Sequence, residues 1–246
     1  MPRILRNWKV THRTPEGPAE LAERDGLAYA LWLPEGRPDG GVVAVHGAGS
    51  CKESHFDFAR AARAAGLAAV TYDQRGHGES GGALDGRMLD DVAAMAALLP
   101  PGPLALRGSS MGGYVALLSA ARLSAAAVVA ICPAGADHLL RGLRSDTFEF
   151  EADRPSLEGF LLEHSLELAI QDLRCPMLLL HAEGDEQIPV EHSAQLYRGA
   201  PMPHKRLIAL PGGHHRSIQH DPEMHAESLR FIQRAFDRAD GAAASA

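Results

Sequence analysis

The chain has 246 residues, 46% hydrophobic, 22% charged and 5% aromatic, enough apolar mass for one large core with little room for a second domain. A net charge of −7 with no basic run argues against nucleic acid or an anionic membrane surface as a partner, since both call for a positive face. Three scattered cysteines, Cys51, Cys132 and Cys175, form no CxxC and no disulfide framework, the pattern of a reducing, cytoplasmic setting.

In chain order, Trp8 to Thr14 and Leu27 to Leu33 read as extended segments separated by a Pro/Gly/charge-rich turn, and Pro34 to Gly40 as a loop. Short apolar runs then alternate with helical patterns. The runs are Val42–Val45, Ala68–Tyr72, Leu104–Leu106, Ala126–Ile131, Met177–Leu180 and Arg206–Leu210. Between and after them lie helical stretches over Ser54–Ala65, Asp85–Leu99, Met111–Arg122, Val190–Arg198 and Pro222–Asp237. Strands apolar throughout must be covered on both faces, so the alternation predicts a mostly parallel, doubly wound α/β sheet with helices on both sides and chemistry at the carboxyl ends of its strands. The stretch 136–172 is too long for an ordinary connection and is expected to form a small cap within a single domain spanning 1–246. The apolar stretch Ala125–Ala136 is interrupted by Pro133 and Gly135 and falls short of the roughly 18–20 residues a spanning helix needs, so no membrane insertion is expected. The last residues, from Gly241, read as a frayed tail.

The strongest local signal is Gly108-Ser109-Ser110-Met111-Gly112, a G-x-S-x-G directly after one apolar run and directly before a helical pattern. Glycines two before and two after the serine suit a strained strand-to-helix turn that leaves no room for side chains and lifts the hydroxyl above the sheet. The helix start beneath it favours developing negative charge. Ser110 is therefore the expected nucleophile. Ser109, flanked by Arg107 and Met111, lacks that frame.

His46-Gly47-Ala48-Gly49 follows one strand and Asp73-Gln74-Arg75-Gly76-His77-Gly78-Glu79-Ser80 the next. Both loops resemble the H-G-x-G and D-x-R-G-x-G-x-S loops of the α/β-hydrolase superfamily, in particular its esterase, monoacylglycerol-lipase and serine-aminopeptidase branches. The resemblance runs from about Val42 to the last helix and is weakest in the cap. It implies an oxyanion hole formed by the backbone N–H groups of Ala48 and Met111, with loop-shaping roles for His46, Asp73 and His77.

A serine hydroxyl needs a base within reach and a carboxylate to orient that base, and the resemblance implies the chain order Ser, acid, His. Asp185, in Gly184-Asp185-Glu186-Gln187-Ile188-Pro189, is the expected acid, with Asp137 the alternative and Glu183 and Glu186 the neighbours to exclude. Pro211-Gly212-Gly213-His214-His215-Arg216 supplies the base; His215 is favoured and His214 is second choice.

The thirteen histidines show no H-E-x-x-H or Cys/His ligand spacing, and no phosphate-binding glycine motif occurs, so neither metal nor cofactor is expected. A serine rather than an aspartate at the elbow disfavours dehalogenase and epoxide-hydrolase chemistry. The expectation is a serine hydrolase acting on a small-molecule acyl substrate, esters first, with thioesters, lysophospholipids and peptides served by the same machinery. A non-catalytic binding protein on the same scaffold is the reading of a different class. Phe148, Phe150 and Phe160 could line an apolar pocket or pack the cap onto the core, and oligomeric state is not readable.

Overall fold

The computed structural model describes residues 16–145 and 147–243; the extended segment expected over Trp8–Thr14 lies outside them. Eight strands form one sheet: β1 (Glu20–Arg24), β2 (Leu27–Trp32), β3 (Gly41–Val45), β4 (Ala68–Tyr72), β5 (Leu104–Ser109), β6 (Ala127–Ile131), β7 (Met177–Ala182) and β8 (Lys205–Leu210). Their spatial order is β1-β2-β4-β3-β5-β6-β7-β8. The pairs β1–β2 and β2–β4 are antiparallel and every other neighbouring pair is parallel. This is the mostly parallel, doubly wound sheet that the alternating runs predict, in the α/β-hydrolase arrangement that the motif resemblance implies.

The apolar strands have the predicted consequence. Val43, Val45, Val70, Leu106, Val128 and Leu179 belong to one hydrophobic cluster, while Val42, Ala44, Ala105, Val129, Leu178 and Leu180 belong to a second. Successive side chains point to opposite faces, so each strand feeds two cores, and a fully buried Val or Leu contributes about 1.5–3 kcal/mol. Helices α2 (Met88–Ala96) and α3 (Met111–Arg122) cover the first face; α1 (Phe56–Ala64) and the terminal α8 (Pro222–Ala243) cover the second.

One strand carries no hydrophobic pattern in the sequence. Glu20–Arg24, which the sequence reading placed in a turn-rich stretch, pairs along its length with β2. Its five residues are all exposed, so it lacks the hydrophobic alternation that marks a strand. The signal it carries is Asp25-Gly26, with φ of 55° and 79°, a two-residue hairpin turn whose positive φ values match the twist of the flanking strands.

Between β6 and β7 lie α4 (Ala136–Arg144), α5 (Arg154–Glu163) and α6 (Leu166–Asp172). This stretch is fastened to the loop after β4: Leu84 N–H donates to Glu151 O at 2.8 Å and Asp153 N–H to Leu84 O at 2.9 Å. The Tyr114 hydroxyl of α3 donates to His164 O at 2.6 Å. Helix α7 (Val190–Gly199) links β7 to β8. Among the described residues no helix is long and apolar enough to cross a membrane.

Candidate active site

Ser110 sits between β5 and α3 with φ 54° and ψ −119°, a backbone conformation that L-residues rarely adopt and that persists only when its surroundings impose it. Those surroundings are explicit. Ser110 N–H donates to Ile131 O at 2.9 Å, and Ser110 O accepts from Tyr114 N–H at 3.1 Å and Ala134 N–H at 3.2 Å. A Cβ at Gly108 would lie 2.0 Å from Gly112 O, and one at Gly112 would lie 2.1 Å from Val45 O. The glycines are there because backbone occupies the space side chains would need.

The first β–α loop runs beside this turn: a Cβ on Gly47 would be 3.2 Å from Ser110 Cβ. Among the described residues, neither Ala48 N–H nor Met111 N–H has a hydrogen-bond acceptor. His46 is fully buried. Its Nδ1–H donates to Gly47 O at 2.8 Å and its Nε2 accepts from Gln74 N–H at 2.9 Å, and burial pushes its pKa down to about 4. His77 accepts from Gly49 N–H at 3.1 Å and donates to Arg75 O at 3.0 Å. Both imidazoles are therefore spent on backbone. Asp73 accepts from Lys52 N–H at 2.6 Å, Lys52 Nζ at 2.9 Å and Glu79 N–H at 2.9 Å. Buried Lys52 was not singled out in the sequence; burial opposes its charge, but the hydrogen bonds it donates to Glu79, Asp73 and Glu53 prevail and raise its pKa.

Asp185 follows β7, and its carboxylate is inaccessible to solvent. Oδ1 accepts from Gln187 N–H and Ile188 N–H, each at 2.9 Å, and Oδ2 accepts from His215 Nδ1–H at 2.7 Å. Burial by itself would raise the pKa, but hydrogen bonds from His181, His215 and the two amides outweigh it and hold Asp185 well below the usual carboxylate range. With Nδ1 donating, His215 carries its lone pair on Nε2. His181 is a second imidazole at this carboxylate, with Nε2 3.4 Å from Oδ2. It had no motif to mark it beyond its place at the end of an apolar run. Cys132, after β6 with φ 42°, places Sγ within 4.8 Å of ligand atoms of both Asp185 and His215; burial raises its pKa, so the thiol stays neutral beside them.

The other candidates make different contacts. Asp137 lies in the exposed first turn of α4 and pairs with Arg141 at 3.1 Å. Exposed His214 receives Arg216 N–H at 3.3 Å. Glu186 accepts from His215 N–H at 3.4 Å, touching the backbone rather than the ring.

Ser110, Ala48 and His215 line one cavity of about 620 Å³. Of the three phenylalanines, Phe148 lines it; Phe150 stacks between Phe148 and His77, and Phe160 is buried against His164 and Tyr114.

Comparison with known proteins agrees with this architecture. Residues 36–146 match the serine aminopeptidase family. A monoacylglycerol lipase of Mycolicibacterium smegmatis is 26% identical over 249 residues, covering 80% of this chain and 88% of the lipase. Among solved structures, the monoacylglycerol lipase of Paleococcus ferrophilus superposes with a TM-score of 0.65 at 19% identity, covering 86% of this chain and 98% of that one. Est1E of Butyrivibrio proteoclasticus, solved with ferulic acid bound, gives 0.65 at 18% identity, covering 90% and 100%. The strand order, the glycine-framed turn and these relatives together make the chain a member of the α/β-hydrolase superfamily.

Proposed function

We propose that this protein hydrolyses carboxylic esters through an acyl-enzyme on Ser110, with His215 as base, Asp185 as its orienting acid and the Ala48 and Met111 amides as oxyanion donors. Ser110 Oγ attacks the carbonyl carbon while His215 Nε2 takes its proton. The oxyanion is received by the two free N–H groups; one such donor is typically worth about 2.7–4 kcal/mol. Collapse expels the alcohol, protonated by His215. Water then attacks the acyl-enzyme, giving a proton to His215, and that proton returns to Ser110 as the carboxylic acid leaves.

The observation that carries this reading is the 2.7 Å contact with Asp185 of a histidine, His215, that lines the same cavity as the Ser110 elbow. The stretch 136–172 acts in it as a cap, contributing Leu139 and Phe148 to the cavity wall. Arg141, Glu149, Gln187 and Arg216 line the same space, a mixed wall that favours short or polar acyl groups over long alkyl chains.

A panel of activated esters from acetyl to palmitoyl, with acyl thioesters and a dipeptide amide alongside, tests the assignment. Turnover should be highest for short acyl esters, Ser110→Ala should lower kcat by at least about 10³-fold, and a fluorophosphonate should label Ser110. Undiminished ester turnover in Ser110→Ala would remove the nucleophile, and no turnover or labelling in the parent would leave a binding protein.

A further inference from the structure

Gln219 lies four residues beyond His215 in the 3-10 turn Ile218–His220, and it is nearly buried at 8% exposure. Each of its polar groups apart from its N–H meets a different part of the site. Its side-chain Oε1 accepts from Ser109 Oγ at 2.8 Å, beside the proposed nucleophile. Its Nε2 donates to Ser54 O at 2.9 Å, in the 3-10 turn Lys52–His55 that follows the loop carrying Ala48. Its backbone O accepts from His225 Nε2–H at 2.7 Å and from Arg107 Nη2 at 3.3 Å, anchoring the turn to α8 and to β5.

Arg107 strengthens the same junction. It is fully buried on β5, three residues before Ser110, with Nη1 3.0 Å from His55 Nδ1 and its guanidinium 4.0 Å above the Phe58 ring. The strand bearing the nucleophile, the loop bearing the oxyanion amide and the loop bearing the base thus converge on one glutamine. An amide suits the place because it offers an acceptor and a donor on one planar group; a carboxylate offers no donor, and an alkyl chain neither.

We infer that Gln219 is a positioning residue for the proposed Ser110 reaction, a tie that fixes the relative placement of Ser110, Ala48 and His215. This rests on the Ser110 reading. Misplacing reacting groups by about 1 Å can cost about 100-fold in rate, and the residue acts through that strand and those two loops rather than by touching the reacting atoms.

The test compares Gln219→Ala, Gln219→Glu, Ser109→Ala and the double Ser109→Ala/Gln219→Ala variant for kcat, KM, thermal midpoint and fluorophosphonate labelling rate of Ser110. Gln219→Ala should lower kcat by about 10- to 100-fold with KM changed less than about 3-fold, and slow labelling in parallel. Gln219→Glu, which keeps the acceptor and loses the donor to Ser54 O, should not restore the rate. Ser109→Ala removes one arm and should cost less than the loss of Gln219, with the double variant no slower than Gln219→Ala. Should Gln219→Ala fail to fold, Ser109→Ala carries the same expectation through its labelling rate, with its thermal midpoint near the parent's. Unchanged kcat in the folded variants, a rise confined to KM, or penalties of Ser109→Ala and Gln219→Ala that multiply independently would overturn the inference. Failure of the underlying reading looks different: the parent itself would show no Ser110-dependent turnover.

Discussion

The imidazole of His181 and the carboxylate of Asp185 lie 3.4 Å apart, both closed off from solvent. His181 Nε2–H donates to Ile188 O at 2.9 Å and also faces Asp185 Oδ2, while Nδ1 lies 2.7 Å from Ser193 Oγ. Asp185 Oδ2 therefore faces both His181 and His215, and the His181 ring is itself held by Ser193 of α7. His181→Leu strands the Ile188 carbonyl and the Ser193 hydroxyl in a buried setting. It should cost about 1–3 kcal/mol of stability, measured by urea unfolding, and reduce kcat in enzyme that remains folded. A variant with both stability and kcat unchanged would remove His181 from this role.

Acid should weaken the fold through two sets of groups whose signs can be worked out. Buried His46, pushed down to about 4, stays neutral where an unfolded histidine of ordinary pKa about 6.5 takes up a proton. The unfolded state then binds more protons, so stability is full above about pH 6.5 and falls toward about pH 4, by on the order of 3 kcal/mol for this ring. Burial moves His55, His77, His192 and His225 in the same direction. Urea melts between pH 7 and pH 4 should show this slope, reduced by about one proton in His46→Gln.

Asp185 works lower on the scale. Its depressed pKa adds stability that is complete above the ordinary carboxylate value of about 4 and is lost as pH falls below it toward the folded-state value. The stability gap between the parent and Asp185→Asn should hold steady from pH 7 to about pH 5 and shrink below about pH 4. A gap independent of pH down to pH 3 would contradict the network around this carboxylate.

The two adjacent histidines should part company. His215 has its Nδ1 on Asp185 at 2.7 Å, whereas His214 is exposed and receives a backbone amide. His215→Gln should lower kcat by about 10³-fold or more, and His214→Gln by less than about 3-fold. Ester assays on both variants, with circular dichroism as the folding control, decide it; the reverse order would reassign the base.

Gly108→Ala and Gly112→Ala are expected to be far more damaging than their size suggests. The added methyl would meet backbone at 2.0 and 2.1 Å, and backbone cannot move aside as a flexible side chain can. Both variants should lose fluorophosphonate labelling and unfold at markedly lower urea concentration than the parent.

The elements readable before any coordinates were those written into contiguous residues. The runs Val42–Val45 and Met177–Leu180 declared strands covered on both faces, since a strand buried twice must be apolar throughout. Gly108 to Gly112 declared a constrained turn, because a strained backbone dictates residue types at fixed offsets from the serine. Relations joining distant segments left no such mark. The exposed strand Glu20–Arg24 is held by its pairing with β2, not by its composition. The contact of Asp185 with His215 thirty residues on, the pairing of Asp137 with Arg141 instead, the second imidazole of His181 at Asp185 and the 110-residue link from Ser109 to Gln219 come from the folded chain. A hydrogen bond across the sheet end depends on where two backbones arrive, and many sequences could deliver a carboxylate, an imidazole or an amide to that point.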